Sequence, residues 1–271
     1  MKFRNISAAL ANPMLGIEYL GWRVEKARTG NPTITLANGA KIAHFANFSE
    51  YHSMKQCISL AEQRFFGERV ASTSGDIIDI GANVGVVSIP LALKFPDRTI
   101  HALEPAPTTF ATLGKNVALN AVTNVKLHRL ALASSPGVLA FNADPVSRGT
   151  ARIATADDPY VEQVEATTLD LFVARNAITD VALLKIDVEG FESVVFSGGR
   201  ETLAKRLARV IFMEVCAPIT RSAGFDPAAA AQAVADAGYT WCDLTERGDL
   251  VPVVPAQAAT VAYANWVALP A

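Results

Sequence analysis

Acidic residues follow two apolar segments of the sequence at a spacing that suits recognition of a nucleoside. Asp79 lies in the apolar segment 76–80, and Glu104 directly follows the apolar segment 99–103, 104 − 79 = 25 residues later. A carboxylate at the end of the second strand of such a pair can accept hydrogen bonds from both hydroxyls of a ribose. These segments therefore predict a site for an adenosine ligand at the carboxyl ends of two neighbouring strands.

The turn after the first strand does not match a phosphate-binding loop. Gly81 and Gly85 allow a tight turn and a close approach of the backbone to a ligand. The dinucleotide fingerprint requires three glycines, but Asn83 and Val86 stand at its second and third glycine positions. These missing glycines disfavour a nicotinamide-dependent oxidoreductase. The acid, the small turn and the remaining glycine favour a ligand with an amino-acid moiety and a sulfonium, which S-adenosylmethionine provides.

Three further acidic residues follow two other apolar runs. Asp187 and Glu189 come after the run 181–186, and Glu214 ends the run 211–213. Carboxylates beside a cofactor can orient an acceptor hydroxyl, take its proton or hold a cation. A structural alternative is that Asp187 caps the next helix while Glu189 faces water. Asp187, Glu189 and Glu214 are the candidate catalytic residues; no metal ligand is predicted, and the sequence leaves open whether a base or a divalent cation activates the acceptor.

The acidic segments are embedded in a pattern of alternating strands and helices that begins near residue 75. This alternation predicts a mainly parallel sheet covered on both faces, with ligands beyond the carboxyl ends of its strands. Segments 239–243 and 262–268 are expected to pair as an antiparallel closing unit. Predicted strands cover 76–80, 99–103, 125–127, 181–186 and 210–215, and predicted helices cover 86–94, 108–120, 169–174 and 227–237.

The chain is expected to have two parts. Residues 1–74 contain a predicted hairpin around Asn38-Gly39 and a predicted helix over 53–71, and this segment is a candidate lid or interface. Residues 75–271 form the predicted catalytic domain, with an inserted loop or hairpin near 136–167 that includes strands at 138–141 and 161–166.

Composition excludes several classes of protein. The 271 residues are 51% hydrophobic and carry a net charge of −2, so no overall positive field favours a nucleic-acid partner. The three cysteines lack a Cys-x-x-Cys pair, and the four histidines lack the close spacing of metal ligands. No apolar run reaches the roughly 20 residues that span a bilayer. Without a convincing secretory leader, the cytoplasm is the expected location, while the oligomeric state is not predicted.

With these motifs in order, the chain resembles the FkbM family of methyltransferases. The resemblance extends over about residues 75–270, and no family is assigned to the first seventy or so residues. Its matching residues are Ile78 to Gly85, Ala102 to Pro105, Phe110, Leu113, Asn116, Thr168 to Asp170, Lys185 to Glu192, Glu214, and Asn265 to Pro270.

The resemblance implies a class I methyltransferase fold, a Rossmann-like doubly wound sheet with an antiparallel C-terminal strand. It implies that Asp79, Gly81, Asn83 and Gly85 line the methionine part of S-adenosylmethionine, that Glu104 binds the ribose, and that Ala131 and Leu132 lie near the adenine. Pro105 and Asp187 are also expected among the cofactor-binding residues. Many such proteins have an acid after the third strand, where Ser134 and Ser135 stand here.

The implied activity is transfer of a methyl group by in-line displacement, usually to the hydroxyl oxygen of a small molecule or sugar. Two alternatives stay open: methylation of a nitrogen, and a non-catalytic module that binds an adenosyl ligand.

Overall fold

The computed structural model describes residues 13–56, 60–143, 152–154 and 160–271. Part of the predicted insertion near 136–167, and residues 57–59 of the predicted helix over 53–71, therefore lie outside the described residues.

The N-terminal part contains α1 (Pro13–Thr29), β1 (Ile34–Thr35), β2 (Lys41–Ile42), α2 (Phe48–Gln56) and α3 (Leu60–Ala71). The predicted hairpin is confirmed, because β1 and β2 pair antiparallel around Asn38-Gly39. The predicted helix over 53–71 began too late, since α2 already starts at Phe48. Asn47 explains the earlier start, because its side chain accepts a hydrogen bond from the Glu50 backbone N–H at 3.0 Å.

Within the described residues, the central sheet has eight strands: β3 (Asp76–Ile80), β4 (Ile100–Leu103), β5 (Val125–His128), β10 (Val181–Ile186), β11 (Ile211–Val215), β12 (Tyr239–Leu244), β13 (Leu250–Val253) and β14 (Ala264–Pro270). Their order across the sheet is β13-β12-β14-β11-β10-β3-β4-β5. The strands from β11 to β5 are parallel, and β14 runs antiparallel to both β11 and β12. The predicted fold class and closing antiparallel unit are confirmed.

Helices cover both faces of this sheet because its strands are apolar on both sides. Ile78 and Leu184 pack on one face with Phe196, whereas Ile77 and Leu183 pack on the other with Phe66 of α3. The helices after α3 are α4 (Ser88–Lys94), α5 (Pro107–Leu119), α6 (Leu169–Arg175), α7 (Glu192–Ser197), α8 (Arg200–Ala204), α9 (Ala217–Ser222), α10 (Ala229–Asp236) and a 3₁₀ helix (Pro255–Thr260).

A second, four-stranded sheet is inserted between β5 and α6. It contains β6 (Ala131–Leu132), β7 (Gly137–Asn142), β8 (Arg152–Ile153) and β9 (Val161–Thr167), in the order β6-β9-β7-β8. The predicted strands at 138–141 and 161–166 are confirmed as β7 and β9, which pair antiparallel. Because β6 follows β5 directly, this sheet stands next to the carboxyl ends of the central strands.

The N-terminal part packs on the turn that follows β3. Ile42 and Tyr51 join Val84 in one apolar cluster. Asn116 of α5 ties the two parts together, since its buried side chain accepts from the Ala43 N–H at 3.0 Å and donates to the Val84 carbonyl at 2.9 Å. A role of residues 1–74 as a lid or interface stays a prediction.

One face of α1 is apolar and exposed, with Met14, Ile17, Leu20 and Val24 each between 64% and 75% accessible. In the ranges that the structure describes, no helix is both long and apolar enough to cross a bilayer.

Candidate functional site

An open cleft of about 680 Å³, counting the space open to solvent, lies at the carboxyl ends of β3, β4 and β10. It brings together eight of the eleven residues that the sequence analysis assigned to a site, from segments far apart in the chain. Those residues are Gly81, Asn83, Glu104, Pro105, Ala131, Leu132, Asp187 and Glu189. Three others, Asp79, Gly85 and Glu214, do not line it.

Gly81 forms the floor of the cleft where β3 ends. Its φ of 78° lies in the left-handed region, and a Cβ there would lie 1.9 Å from the Asp187 carbonyl oxygen. The Gly81 and Ala82 N–H groups both donate to the Leu103 carbonyl, at 3.1 and 2.9 Å. Only glycine therefore allows the ends of β3, β4 and β10 to approach each other this closely.

Asn83 continues the turn and offers an unused acceptor. It too is left-handed, with φ 48°, and its backbone N–H donates to Glu104 Oε2 at 3.1 Å. Its side-chain oxygen is buried without a hydrogen-bond partner among the described residues. Because buried polar atoms are nearly always paired, this oxygen fits the donor of a ligand such as the amino group of S-adenosylmethionine.

Glu104 places a buried carboxyl group at the end of β4. It is 5% exposed, and its Oε1 accepts from the Ala106 N–H at 2.9 Å. Burial raises the pKa of Glu104 to about 7, although the N–H groups of Ala106 and Asn83 oppose the shift. Each carboxylate oxygen has a second lone pair, so the group can still accept hydrogen bonds from ribose hydroxyls.

Asp79 lies below the cleft rather than in its wall. It is fully buried, and the Ser88 hydroxyl donates to its Oδ2 at 2.6 Å. The ammonium of Lys185 lies 3.2 Å from Asp79 Oδ1 and 3.4 Å from Asp187 Oδ2, and it donates to the Gly81 carbonyl at 2.9 Å. Asp79 thus supports the site through Lys185.

Lys185 was not predicted to take part in the site. A lysine within an otherwise apolar strand could have indicated its role, because a buried cation requires partners. Burial lowers the pKa of Lys185, but the carboxylates of Asp79 and Asp187 outweigh it and raise the pKa above its usual value. Lys185 is therefore charged.

Gly85 also lies below the cleft. Its φ is 96°, and a Cβ there would approach Ile89 Cδ1 to 2.7 Å and Leu113 Cδ1 to 2.9 Å. Gly85 lets α4 and α5 pack closely beneath the turn.

The three candidate catalytic carboxylates lie at the ends of β10 and β11. Asp187 and Glu189 line the cleft, whereas Glu214 lies behind them on β11. Burial, followed by the charges of Asp187 and Glu189, raises the pKa of Glu214 to about 8. At neutral pH Glu214 is therefore mostly protonated, and it can donate a hydrogen bond.

A buried glutamate shapes the loop that carries Asp187 and Glu189. Glu192 Oε1 accepts from the Gly190 N–H at 3.1 Å and from the Val188 N–H at 3.3 Å. The structural alternative for Asp187 is wrong, because α7 starts at Glu192 and Phe191 holds its N-cap position. Glu192 fixes the loop, which leaves the Asp187 side chain at the cleft.

The far wall of the cleft is apolar. Ala131 and Leu132 line it as expected, and Phe141 and Ile153 of the inserted sheet line it too. Phe141 and Ile153 were not predicted at the site, because alternating apolar and polar residues in a strand do not reveal which element the buried face of the strand contacts. In the described part of the cleft wall, no carboxylate follows β5.

Two histidines that looked scattered in the sequence are neighbours in the structure. His101 Nδ1 and His128 Nε2 are 3.1 Å apart on the adjacent strands β4 and β5, outside the cleft. Burial lowers the pKa of both rings, that of His128 to about 4. Within the described residues, no group of three or more metal-binding side chains is present.

The family model of the methyltransferase FkbM domain matches this chain over residues 79–240. The matched region begins at Asp79 and includes the turn, Glu104, the inserted sheet, Asp187, Glu189 and Glu214.

Among curated proteins, 31-O-demethyl-FK506 methyltransferase FkbM of Streptomyces tacrolimicus is 28% identical over 210 residues, which cover 66% of this chain and 80% of that protein. Methyltransferase 1 of Beauveria bassiana is 30% identical over 142 residues, or 45% of this chain and 57% of the relative. Methyltransferase sdnD of Sordaria araneosa is 30% identical over 153 residues, with 59% of its length covered.

Among solved structures, a putative O-methyltransferase from Klebsiella pneumoniae aligns with a TM-score of 0.43 at 13% identity, covering 81% of this chain and 86% of that one.

Proposed function

The chain belongs to the FkbM methyltransferase domain family, and we propose that it transfers the methyl group of S-adenosylmethionine to a hydroxyl oxygen of a small molecule or sugar. The observation that carries this proposal is the cleft that joins the Gly81 turn, the buried Glu104 carboxyl and the carboxylates Asp187 and Glu189. The name of the Streptomyces relative, a 31-O-demethyl-FK506 methyltransferase, supports an oxygen acceptor.

In this proposal, S-adenosylmethionine supplies an electrophilic methyl group on a positively charged sulfur. Gly81, Asn83 and Asp187 hold the methionine part, while Asp79 and Gly85 support the turn from below. Glu104 and Pro105 hold the ribose, and Ala131 and Leu132 contact the adenine together with Phe141 and Ile153.

The three candidate catalytic residues have different roles in the proposed methyl transfer. An acceptor hydroxyl must lose its proton as its oxygen forms a new bond, so a base at the cleft is needed. Asp187 or Glu189 is that base, since both line the cleft. Glu214 does not line the cleft, and its pKa of about 8 keeps it mostly protonated, so it instead donates a hydrogen bond that orients the base. A divalent cation is not required by this scheme.

The first test is calorimetric titration with S-adenosylmethionine and S-adenosylhomocysteine, with NAD as a control ligand. Saturable binding of both adenosyl ligands, weakened by Glu104→Ala, is expected. Binding of NAD alone, or of none of the three, would contradict the proposal.

The second test is a screen of hydroxylated sugars and natural products that measures release of S-adenosylhomocysteine. In the turnover of an acceptor found in this way, Asp187→Asn or Glu189→Gln should lower kcat about 100-fold, the lower end of what a general base contributes. Cofactor binding without turnover of any hydroxyl or amine acceptor would favour a non-catalytic binding module. Full turnover in both variants would rule out the assignment of the base.

A further inference from the structure

A single buried cation lies beneath the cleft in the described structure. The Lys185 side chain is only 7% exposed, and its ammonium contacts the Gly81 carbonyl at 2.9 Å and Asp187 Oδ2 at 3.4 Å. Gly81 and Asp187 themselves line the cleft. A ligand resting on this floor is therefore separated from the positive charge by little more than one residue.

Two carboxylates contact the single positive charge of Lys185. Asp79 lies 3.2 Å from its ammonium on the buried side, and Asp187 lies on the cleft side. The ammonium and the two carboxylates that contact it sum to a net charge of −1, whereas without Lys185 the same groups would sum to −2.

We propose that Lys185 is a specificity-determining residue that sets the relative affinity of the site for S-adenosylmethionine and S-adenosylhomocysteine. This inference rests on the proposed function. The two ligands differ in one methyl group and one positive charge, and they share most other contacts. The electrostatic potential at the floor of the cleft therefore changes the affinity for S-adenosylmethionine more than the affinity for S-adenosylhomocysteine. Lys185 limits how strongly Asp79 and Asp187 favour the cation.

This limit has a functional consequence. A floor that stabilises the charged ground state too strongly slows a reaction in which that charge disappears, because only interactions that strengthen in the transition state accelerate it. By cancelling one carboxylate, Lys185 keeps the site from overstabilising the reactant, and it holds Asp187 and the Gly81 turn in place at the same time.

The test is calorimetric measurement of both dissociation constants in wild type, Lys185→Met, Asp79→Asn and the double variant. Lys185→Met makes the floor more negative and should raise the affinity for S-adenosylmethionine relative to S-adenosylhomocysteine on the order of tenfold. Asp79→Asn makes it less negative and should lower the ratio by a similar factor. The double variant restores the net charge of −1 and should return the ratio to that of wild type.

The double variant also guards the test against misfolding. If Lys185→Met does not fold, the comparison of Asp79→Asn with the double variant still measures the lysine charge, because replacing a buried ion pair with neutral groups is better tolerated than breaking it.

An unchanged ratio in all variants, or a double variant that shifts like a single one, would overturn the inference. Wild type that binds neither adenosyl ligand would instead overturn the proposed function. Lys185→Arg, which keeps the charge, should keep the wild-type ratio.

Discussion

The two sides of the cleft are built differently. On the turn side, the ends of β3 and β4 place Gly81, Asn83 and Glu104 through backbone conformation and backbone N–H bonds. On the carboxylate side, Asp187 and Glu189 follow β10, and burial together with their like charges raises the pKa of Glu214. The turn side is therefore fixed by geometry and the carboxylate side is tuned by burial and charge. Changes on the first should act on stability and cofactor binding, and changes on the second on turnover.

Gly81→Ala should give the largest effect of any variant on the turn side. The new Cβ would meet the Asp187 carbonyl oxygen at 1.9 Å, and φ of 78° is itself costly for alanine. We expect a loss of at least about 3 kcal/mol of unfolding free energy, with no detectable binding of S-adenosylhomocysteine. Chemical denaturation and calorimetry measure the two quantities.

Gly39→Ala is the matched control, because Gly39 has a similar φ of 87° but no atom within 4 Å of an added Cβ. It should lose only about 1 kcal/mol and bind normally. Equal losses of unfolding free energy in Gly81→Ala and Gly39→Ala would mean that the close approach of β3 and β10 does not fix the turn.

Glu104→Ala should have the next largest effect, this time on binding rather than folding. Hydrogen bonds to a charged group contribute about 1.5–3 kcal/mol, so losing those to the ribose should weaken S-adenosylhomocysteine binding about 100-fold. Glu201→Gln, which changes an exposed carboxylate paired with Lys205 on α8, is the control and should leave affinity unchanged. A change below threefold in Glu104→Ala would remove Glu104 from the ribose site.

Asp170→Ala tests whether every residue of the family resemblance belongs to the cleft. Asp170 accepts from the Glu201 and Thr202 N–H groups, at 3.0 and 2.8 Å, at the start of α8 and away from the cleft. Loss of this cap should cost about 1–2 kcal/mol of unfolding free energy and leave S-adenosylhomocysteine affinity unchanged. Asp236→Ala, at an exposed position, is the control. Weaker ligand binding in folded Asp170→Ala protein would show that a structural residue away from the cleft also affects the binding site.

The strands, the parallel sheet and the turn could be predicted because their signals are local. Apolar runs, glycines and strand-end acids lie within a few residues of each other, as in the segment from Ile78 to Gly85. The parallel direction of the central strands follows from the same alternation, because parallel strands need crossover connections.

The remaining features depend on contacts between distant segments. Phe141 reaches the cleft only because the inserted sheet stands next to the ends of the central strands, and Lys185 meets Asp79 because β10 pairs with β3 in the register Lys185↔Asp79. His101 and His128 come together through the pairing of β4 with β5. No spacing along the sequence states which strands are neighbours, so these three could not be read from it. Asp79 and Gly85 were predicted at the ligand; in the structure they do not line the cleft but support the turn, and a contact of either with the ligand stays a prediction.

The last expected effect concerns pH and has opposite signs for binding and for stability. Because the pKa of Glu104 is about 7 rather than 4.5, its ionisation in the unliganded protein costs up to about 3 kcal/mol, and stability is lost as the pH rises from 4.5 through 7. Ionisation makes the carboxylate a better acceptor for the ribose, so S-adenosylhomocysteine affinity should rise over pH 6–8, by at most about tenfold per unit.

Glu104→Gln separates this effect from that of Glu214, whose pKa of about 8 also makes stability fall with pH. The variant should flatten the binding curve completely and the stability curve only in part, as followed by calorimetry and chemical denaturation across the same pH range. A binding curve with the same slope in Glu104→Gln would place the titrating group on the carboxylate side of the cleft. In that case charge, and not backbone geometry alone, would govern how the site takes its cofactor.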